Sequence, residues 1–384
     1  MTRARSVLVL ILVLGLFVPT NVQAGDDSSS DKETSFWDNY KDPEDGKFDI
    51  LGPRKTQSGF LPVIIPFNEP AVGIGAVGGL AYFHPQDAAG KDNSPSAPPS
   101  ISFGGGLYAD NGTWAVAGGH MGIWDEGDIR YLGGLAYASV NVDFYGIGRD
   151  SDTNNNPIPY HIEGGGTVQQ IQFRLWDSAF FAGTKYIFAG TNGTFDTDAE
   201  LDDEGYSNNA GLSLFSSYDT RDNVFTPNAG TRAIASVARF SPRIGGDFTY
   251  GRLDLLWNQY LSLGGSFVFG LRMEYRNAGH GAPVYALPWV RLRGIPAFRY
   301  LGYHVALTEF EPRWKIDDRW SLLAFLGAGR AAVNFDRLKD AEKAYNYGGG
   351  FRYLIARKLG LAMGLDVARG PEETVGYLTI GSAW

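Results

Sequence analysis

Phe267-Val268-Phe269-Gly270-Leu271-Arg272-Met273-Glu274-Tyr275-Arg276 is the stretch that decides the fold class. Phe267, Phe269, Leu271, Met273 and Tyr275 share one face of an extended chain. Val268, Gly270, Arg272, Glu274 and Arg276 share the other. A period of two, with an all-apolar face and a charged face, is what a strand needs when one side meets lipid and the other a wet interior. The same alternation recurs at Ile171, Phe173 and Leu175 against Gln170, Gln172, Arg174 and Trp176. It recurs again at Leu361, Met363, Leu365 and Val367 against Ala362, Gly364, Asp366 and Ala368. One such strand also fits a half-buried soluble sheet, so the number of strands carries the argument.

The alternation places strands near 59–67, 71–83, 100–110, 113–124, 128–144, 160–176, 179–190 and 209–219. Others fall near 230–240, 249–263, 265–276, 302–315, 319–333, 344–357, 360–369 and 373–384. The expectation is an all-β chain, a transmembrane antiparallel β-barrel of sixteen strands with fourteen as the alternative. An even count returns both ends of the sheet to one side. Short turns at 125–127 and 177–178 alternate with long loops at 145–159, 191–208 and 277–300. The Pro- and Ser-rich stretch 84–99 breaks that rule and makes the first two strands the least secure.

Composition agrees. The 384 residues include 51 Gly, 24 Phe, 20 Tyr and 9 Trp, with 4 Met and no Cys. Small residues where strands bend, and aromatic girdles at two interfaces, suit a membrane barrel better than a soluble core. No disulfide or lipid-bearing cysteine is available. Arg3 and Arg5 precede the apolar run Val7 to Val18, which Pro19 breaks ahead of Val22-Gln23-Ala24. This reads as a secretory signal over residues 1–24. Removing it leaves 31 basic against 42 acidic residues, about −11, which argues against a nucleic-acid partner. Residues 25–58 are polar and acidic. They are expected to form a flexible periplasmic leader, with Phe36-Trp37 and Phe48-Asp49-Ile50 as docking points. The barrel is expected over 59–384.

Most enzyme signals dissolve on inspection. Gly73-Ile74-Gly75-Ala76-Val77-Gly78 has dinucleotide-binding spacing but continues as Gly79-Leu80-Ala81-Tyr82-Phe83, a strand where that motif needs a helix. His84, His120, His161, His280 and His304 show no metal-ligand spacing, and no nucleophile motif marks Ser139, Ser213 or Ser217 beside His120 or His161. Neither an enzymatic activity nor a cofactor is expected.

Two stretches are more particular. Tyr218-Asp219-Thr220-Arg221-Asp222-Asn223-Val224-Phe225-Thr226-Pro227-Asn228-Ala229-Gly230 is a strand connection. Its Asp and Asn side chains can bond nearby amides, Pro227 fixes a turn and Gly230 allows positive φ, so Asp219, Arg221 and Asp222 read as structural. Leu292-Arg293-Gly294-Ile295-Pro296-Ala297-Phe298-Arg299-Tyr300 lies in the longest late loop. Arg291, Arg293 and Arg299 among aromatics make sense if the loop folds inward onto acids, where a guanidinium pairs in two-pronged fashion. The plainer reading is an outer loop holding lipopolysaccharide phosphates.

Together, the Asp-Thr-Arg-Asp-Asn…Pro…Gly connection, the Arg-Gly loop five strands before the end and the terminal aromatic resemble the BamA/TamA superfamily of outer-membrane assembly barrels, over about residues 59–384. The resemblance implies that Arg293, followed by Gly294, enters the barrel and pairs with acids on following strands, Glu311 first. The family's Phe-x-Asp-x-Gly acid is missing from Phe325-Leu326-Gly327-Ala328-Gly329, which brings in Glu309 as a substitute. Trp384 resembles the terminal aromatic read by the barrel-assembly machinery during biogenesis. The segment 25–58 is too short for the family's POTRA modules, which implies a branch that is nearly all barrel. The implied function is insertion or translocation of protein or lipid at the bacterial outer membrane, with outer-membrane lipid and lipopolysaccharide as surroundings. The competing readings are a passive, porin-like solute channel lined by Arg272, Glu274, Arg276, Arg252 and Asp254, and an oligomeric structural barrel.

Overall fold

Alternation of the kind seen in 267–276 recurs sixteen times among the residues that a computed structural model describes: 40–50, 59–85, 100–148, 156–197 and 205–384. The expected signal over 1–24, Phe36-Trp37 and most of the 84–99 connection lie outside the described residues. In chain order the strands are β1 Gly59–Glu69, β2 Gly73–Phe83, β3 Ile101–Ala109, β4 Trp114–Trp124, β5 Ile129–Phe144 and β6 Ile158–Arg174. They continue as β7 Phe180–Phe195, β8 Gly205–Asp219, β9 Gly230–Phe240, β10 Tyr250–Leu263 and β11 Phe267–Ala278. The last five are β12 His304–Lys315, β13 Trp320–Ala332, β14 Lys343–Ala356, β15 Leu361–Arg369 and β16 Thr374–Ile380. Each pairs antiparallel with its neighbour in sequence, in one sheet ordered β1 through β16.

β1 and β16 approach within 8 Å Cα to Cα, yet no β1–β16 ladder is formed among the described residues. Both edges therefore meet at a seam. Near it the strands are short: β16 has 7 residues and β15 has 9, against 17 in β6 and 16 in β5.

One face of the sheet is apolar and uncovered. Phe60, Ile64, Leu135, Leu214, Val237 and Leu326 all stand exposed, apolar side chains recurring across the sheet as contact with lipid would require. Aromatic pairs sit toward the strand ends, among them Trp124 on Tyr131 and Trp320 on Tyr353, the placement expected of interfacial girdles. The opposite face carries the buried charges Arg272, Glu274, Glu309, Glu311, Arg352 and Asp366.

The structure departs from the sequence expectation in two places. The last strand stops at Ile380 rather than reaching 384, because Gly381 at φ +75° turns the chain. And residues 40–50 are folded, where a flexible leader was expected. Lys41 bridges Phe48, and Asp49 N donates to Tyr40 O at 2.7 Å, closing a small hairpin. Ile50 N then donates to Ile355 O at 2.8 Å and its side chain packs on Ile355, Ala356 and Leu361. Phe48-Asp49-Ile50 is thus a docking point, on the β14–β15 turn.

Candidate functional site

The loop 279–303 joins β11 to β12 and is held from two sides. Its apolar residues Leu287, Ala297, Phe298 and Leu301 cluster with Phe240 and Tyr250; Val290, Leu292 and Ile295 cluster with Val305, Leu307 and Ala344. Burying these side chains against the strands gives the loop a core of its own, worth about 1.5–3 kcal/mol for each large residue. Val290 N donates to Tyr300 O at 3.0 Å and Gly302 N to Pro288 O at 3.1 Å, so the loop's two limbs pair with each other.

That pairing presents Arg293 to three carboxylates. Its Nε lies 3.1 Å from Glu309 Oε1, one terminal nitrogen 2.8 Å from Glu311 Oε2, and the other 3.1 Å from Asp366 Oδ2. The guanidinium stacks over the Phe325 ring, 3.5 Å from its centroid. Glu309 and Glu311 stand two residues apart on β12, so alternation puts both on the polar face. Asp366 reaches the same point from β15, where Arg352 holds it through two bonds of 2.6 and 2.8 Å. Burying a charge is costly unless it is paired, and planar arginine suits several carboxylates at once.

Gly294 completes the tip. It sits at φ +79°, and its N–H donates to the Tyr377 hydroxyl of β16 at 2.7 Å. A Cβ there would lie 2.9 Å from Gly370 N in the β15–β16 turn. We expect Gly294→Ala to lower stability by about 1–3 kcal/mol through left-handed strain and displacement of the tip, read in a denaturant titration. An unchanged midpoint would contradict that placement.

The expected lumen residues belong to the same network. Arg272 bonds Glu274 at 2.7 Å and approaches Glu309 at 3.5 Å. Arg276 and the loop's Arg291 both reach Glu274, at 3.0 and 3.2 Å. Arg252 bonds Asp254 at 2.9 Å and Ala286 O of the loop at 3.3 Å. These side chains tie the loop to the wall. Arg299 turns aside to Glu372 at 2.9 Å.

The turn motif also makes long-range contacts. Asp219 clasps Arg221 through two bonds of 2.9 Å, and Asp222 accepts the Asn228 amide at 2.9 Å. Gly230 holds φ +102° against Thr220 O. From this frame Asn223 donates to Leu359 O at 2.8 Å, Thr226 Oγ1 accepts the Ala362 amide at 3.2 Å, and Phe225 O accepts the Ser382 amide at 2.6 Å. Arg313 reaches Pro227 O at 2.6 Å. A turn between β8 and β9 thereby reaches β12, β15 and the end of the chain. Trp384, the terminal aromatic, stacks on Tyr260 of β10 at 5.4 Å, with its carbonyl accepting the Tyr260 hydroxyl at 2.8 Å.

Sequence reasoning missed Asp366, Arg352, Tyr377 and Phe325 as neighbours of Arg293. A signal for Asp366 existed: it is the one acid on the polar face of a strand otherwise built from Gly and Ala there. It missed a second cluster too. Arg319, fully buried on the β12–β13 turn, bonds Asp42 at 2.7 Å, Asp45 at 2.6 Å and Asp49 at 3.0 Å. Arg357, on the β14–β15 turn, bonds Asp42 at 2.6 Å and Glu44 at 2.5 Å. The Arg357 hydrogen bond holds the Asp42 carboxyl well below its ordinary value of 3.8. The 40–50 hairpin is a strap tied across two turns. Among the described residues no group of His, Cys, Asp and Glu forms a metal site.

Residues 136–291 match the family model of the Omp85 superfamily domain. The matched segment contains the Asp219–Gly230 turn and ends two residues before Arg293. Two solved structures are similar to the chain in fold. BamA from Haemophilus ducreyi lacking POTRA domains 1–3 is 13% identical with a TM-score of 0.54, over 84% of this chain and 71% of that one. CdiB from Acinetobacter baumannii is 11% identical with a TM-score of 0.55, over 84% of this chain and 59% of that one. At these identities the likeness is one of fold. No curated protein matches the chain in sequence. Among the described residues nothing resembles a POTRA module; those ahead of β1 are the strap.

Proposed function

We propose that this Omp85-type barrel resides in the bacterial outer membrane and aids insertion or translocation of protein or lipid there. On this reading residues 1–24 direct export, 25–58 form a periplasmic leader that contributes the strap, and 59–384 form the barrel. The observation that carries the proposal is the seam. Two strand edges lie within 8 Å without a ladder, in a sheet whose outer face is made for lipid. Unpaired edge groups are costly in hydrocarbon, and an edge left open is a template or a local disturbance of the bilayer.

The anchored loop supports the same reading over a passive channel. With Arg293 tied to β12 and β15, and Gly294 to β16, the loop braces the wall beside the seam from the inside. The same contacts occupy the charged face along which a solute path would run. Lipopolysaccharide and outer-membrane lipid are the surroundings, and the barrel-assembly machinery acts during biogenesis. Whole relatives are longer than this chain, so the activity is tested directly. The full protein is reconstituted in phospholipid vesicles and the folding of a urea-unfolded eight-stranded outer-membrane barrel is timed. We expect folding to accelerate by about tenfold or more over empty vesicles. No acceleration, together with large steady conductance in planar bilayers, would favour the channel.

A further inference from the structure

The two edges of the seam are not equivalent, and the difference lies in β1. His84 N donates to Ser100 O and Asp110 N to Ile74 O, both in the β2–β3 register that pairs Phe83 with Ile101 and Gly75 with Ala109. Even-numbered residues of β2 therefore bond β3, and odd-numbered ones bond β1. Through the pairing of Val77 with Ile65, the odd-numbered residues of β1 face β2. Phe60, Pro62, Ile64, Pro66 and Asn68 are left to face the seam. Two of those five positions have no N–H to offer, and a pyrrolidine ring stands where each hydrogen would be. The sheet shows elsewhere what a proline costs: at Pro312 the β12–β13 pairing is interrupted between Phe310 and Arg313.

β16 has no such defect. Gly370 N donates to Glu373 O and Gly381 N to Ala362 O, in the register that pairs Met363 with Ile380. Its odd-numbered residues bond β15, which leaves Thr374, Gly376, Leu378 and Ile380 facing the seam, each with an amide. The next group of that parity, Ser382 N, already donates to a carbonyl from another part of the chain, Phe225 O at 2.6 Å.

We infer that the seam is one-sided: β1 is a blunted edge, and an extended client strand adds to β16. This rests on the assembly reading above. A partner on β16 forms complete two-bond pairs at every second residue, whereas on β1 each proline removes one bond of its pair and crowds the incoming backbone. The lipid side of β16 at Leu378 and Ile380 asks for apolar residues at alternate client positions. The inner side, with Tyr377 and Thr379, accepts polar ones. The client is thus an alternating β-strand of an unfolded barrel.

The chain has no cysteine, so single substitutions report unambiguously. Gly376→Cys and Leu378→Cys on β16, and Phe60→Cys and Ile64→Cys on β1, are reconstituted and offered a urea-unfolded eight-stranded barrel with one cysteine in its last strand. Disulfide yield is expected to be at least about fivefold higher from β16, and Pro62→Val with Pro66→Val is expected to raise the β1 yield toward it. Hydrogen exchange on the unsubstituted protein in detergent needs no client and no variant. Amides of 374, 376, 378 and 380 should exchange at least about tenfold faster than those of 375, 377 and 379. Cross-links from β1 alone overturn the one-sided seam and leave the assembly reading standing. Cross-links from neither edge, with the exchange asymmetry present, overturn the client and the assembly reading together. Equal exchange at both sets of amides overturns the open β16 edge.

Discussion

Arg293→Ala is expected to loosen the 279–303 loop and to cost about 3 kcal/mol, at the lower end of the 3–5 kcal/mol typical of a buried pair broken from one side. The lower end follows from what remains. Asp366 keeps its two bonds to Arg352, and Glu309 keeps Asn346 at 3.0 Å and Arg272 at 3.5 Å. Glu311 loses its ion pair with the loop. The Phe325 face is uncovered as well. Arg293→Lys keeps the charge but not the fork, and should fall between wild type and alanine. The measurements are a denaturant midpoint and protease cleavage within the loop, with bilayer conductance as a third readout. Larger and longer openings in Arg293→Ala are expected because the loop is no longer held against β12 and β15. If the midpoint, cleavage and conductance all match wild type, the anchor does not brace the loop.

Arg319→Ala is expected to free the strap while leaving the sheet intact. Arg319 gathers three carboxylates from one short hairpin and also donates to Leu354 O at 2.8 Å. Without it, Asp42, Asp45 and Asp49 repel one another at the rim, and only Arg357 remains to hold Asp42 and Glu44. The strand ladders do not depend on these contacts. Cleavage by a lysine-directed protease at Lys41 or Lys47 should therefore rise by at least about tenfold, while the barrel's own unfolding midpoint barely moves. Acid should imitate the substitution. Because Arg357 depresses the Asp42 pKa in the folded chain, the strap's stabilisation is fully present above the ordinary value of 3.8 and is lost as pH falls below it toward the depressed value. The strap should stay protected at pH 5 and become cleavable by an acid-tolerant protease near pH 2. Equal protection in wild type and Arg319→Ala would show that Arg357 and the Ile50 packing hold the strap without Arg319.

Alternation made the strands legible, because side-chain period in a strand is a local property that no distant contact can hide. Fifteen of the sixteen expected strands overlap those observed over nearly their full length. The sixteenth ran long at its end, since nothing in Gly381-Ser382-Ala383-Trp384 announces that the chain turns inward toward Tyr260. The resemblance to assembly barrels led to Arg293, Glu311 and Glu309, and the structure gathers all three. It did not lead to Asp366, which is 73 residues from Arg293 and reaches it only because barrel register brings β15 past the loop tip.

The sequence alone determined that Phe267–Arg276 and its counterparts are strands with an apolar face and a polar one. It also determined that prolines at 62 and 66 stand in one of them. Only the tertiary structure decided which neighbours those prolines deprive, because the direction of an amide depends on the register of the strand beside it. The same holds for the strap, where Arg319 lies 270 or more residues from each of its three carboxylates, Asp42, Asp45 and Asp49. Propensity acts over a few residues and is written locally. Charge pairing and strand edges are settled between segments far apart in the chain, which only the folded sheet brings together.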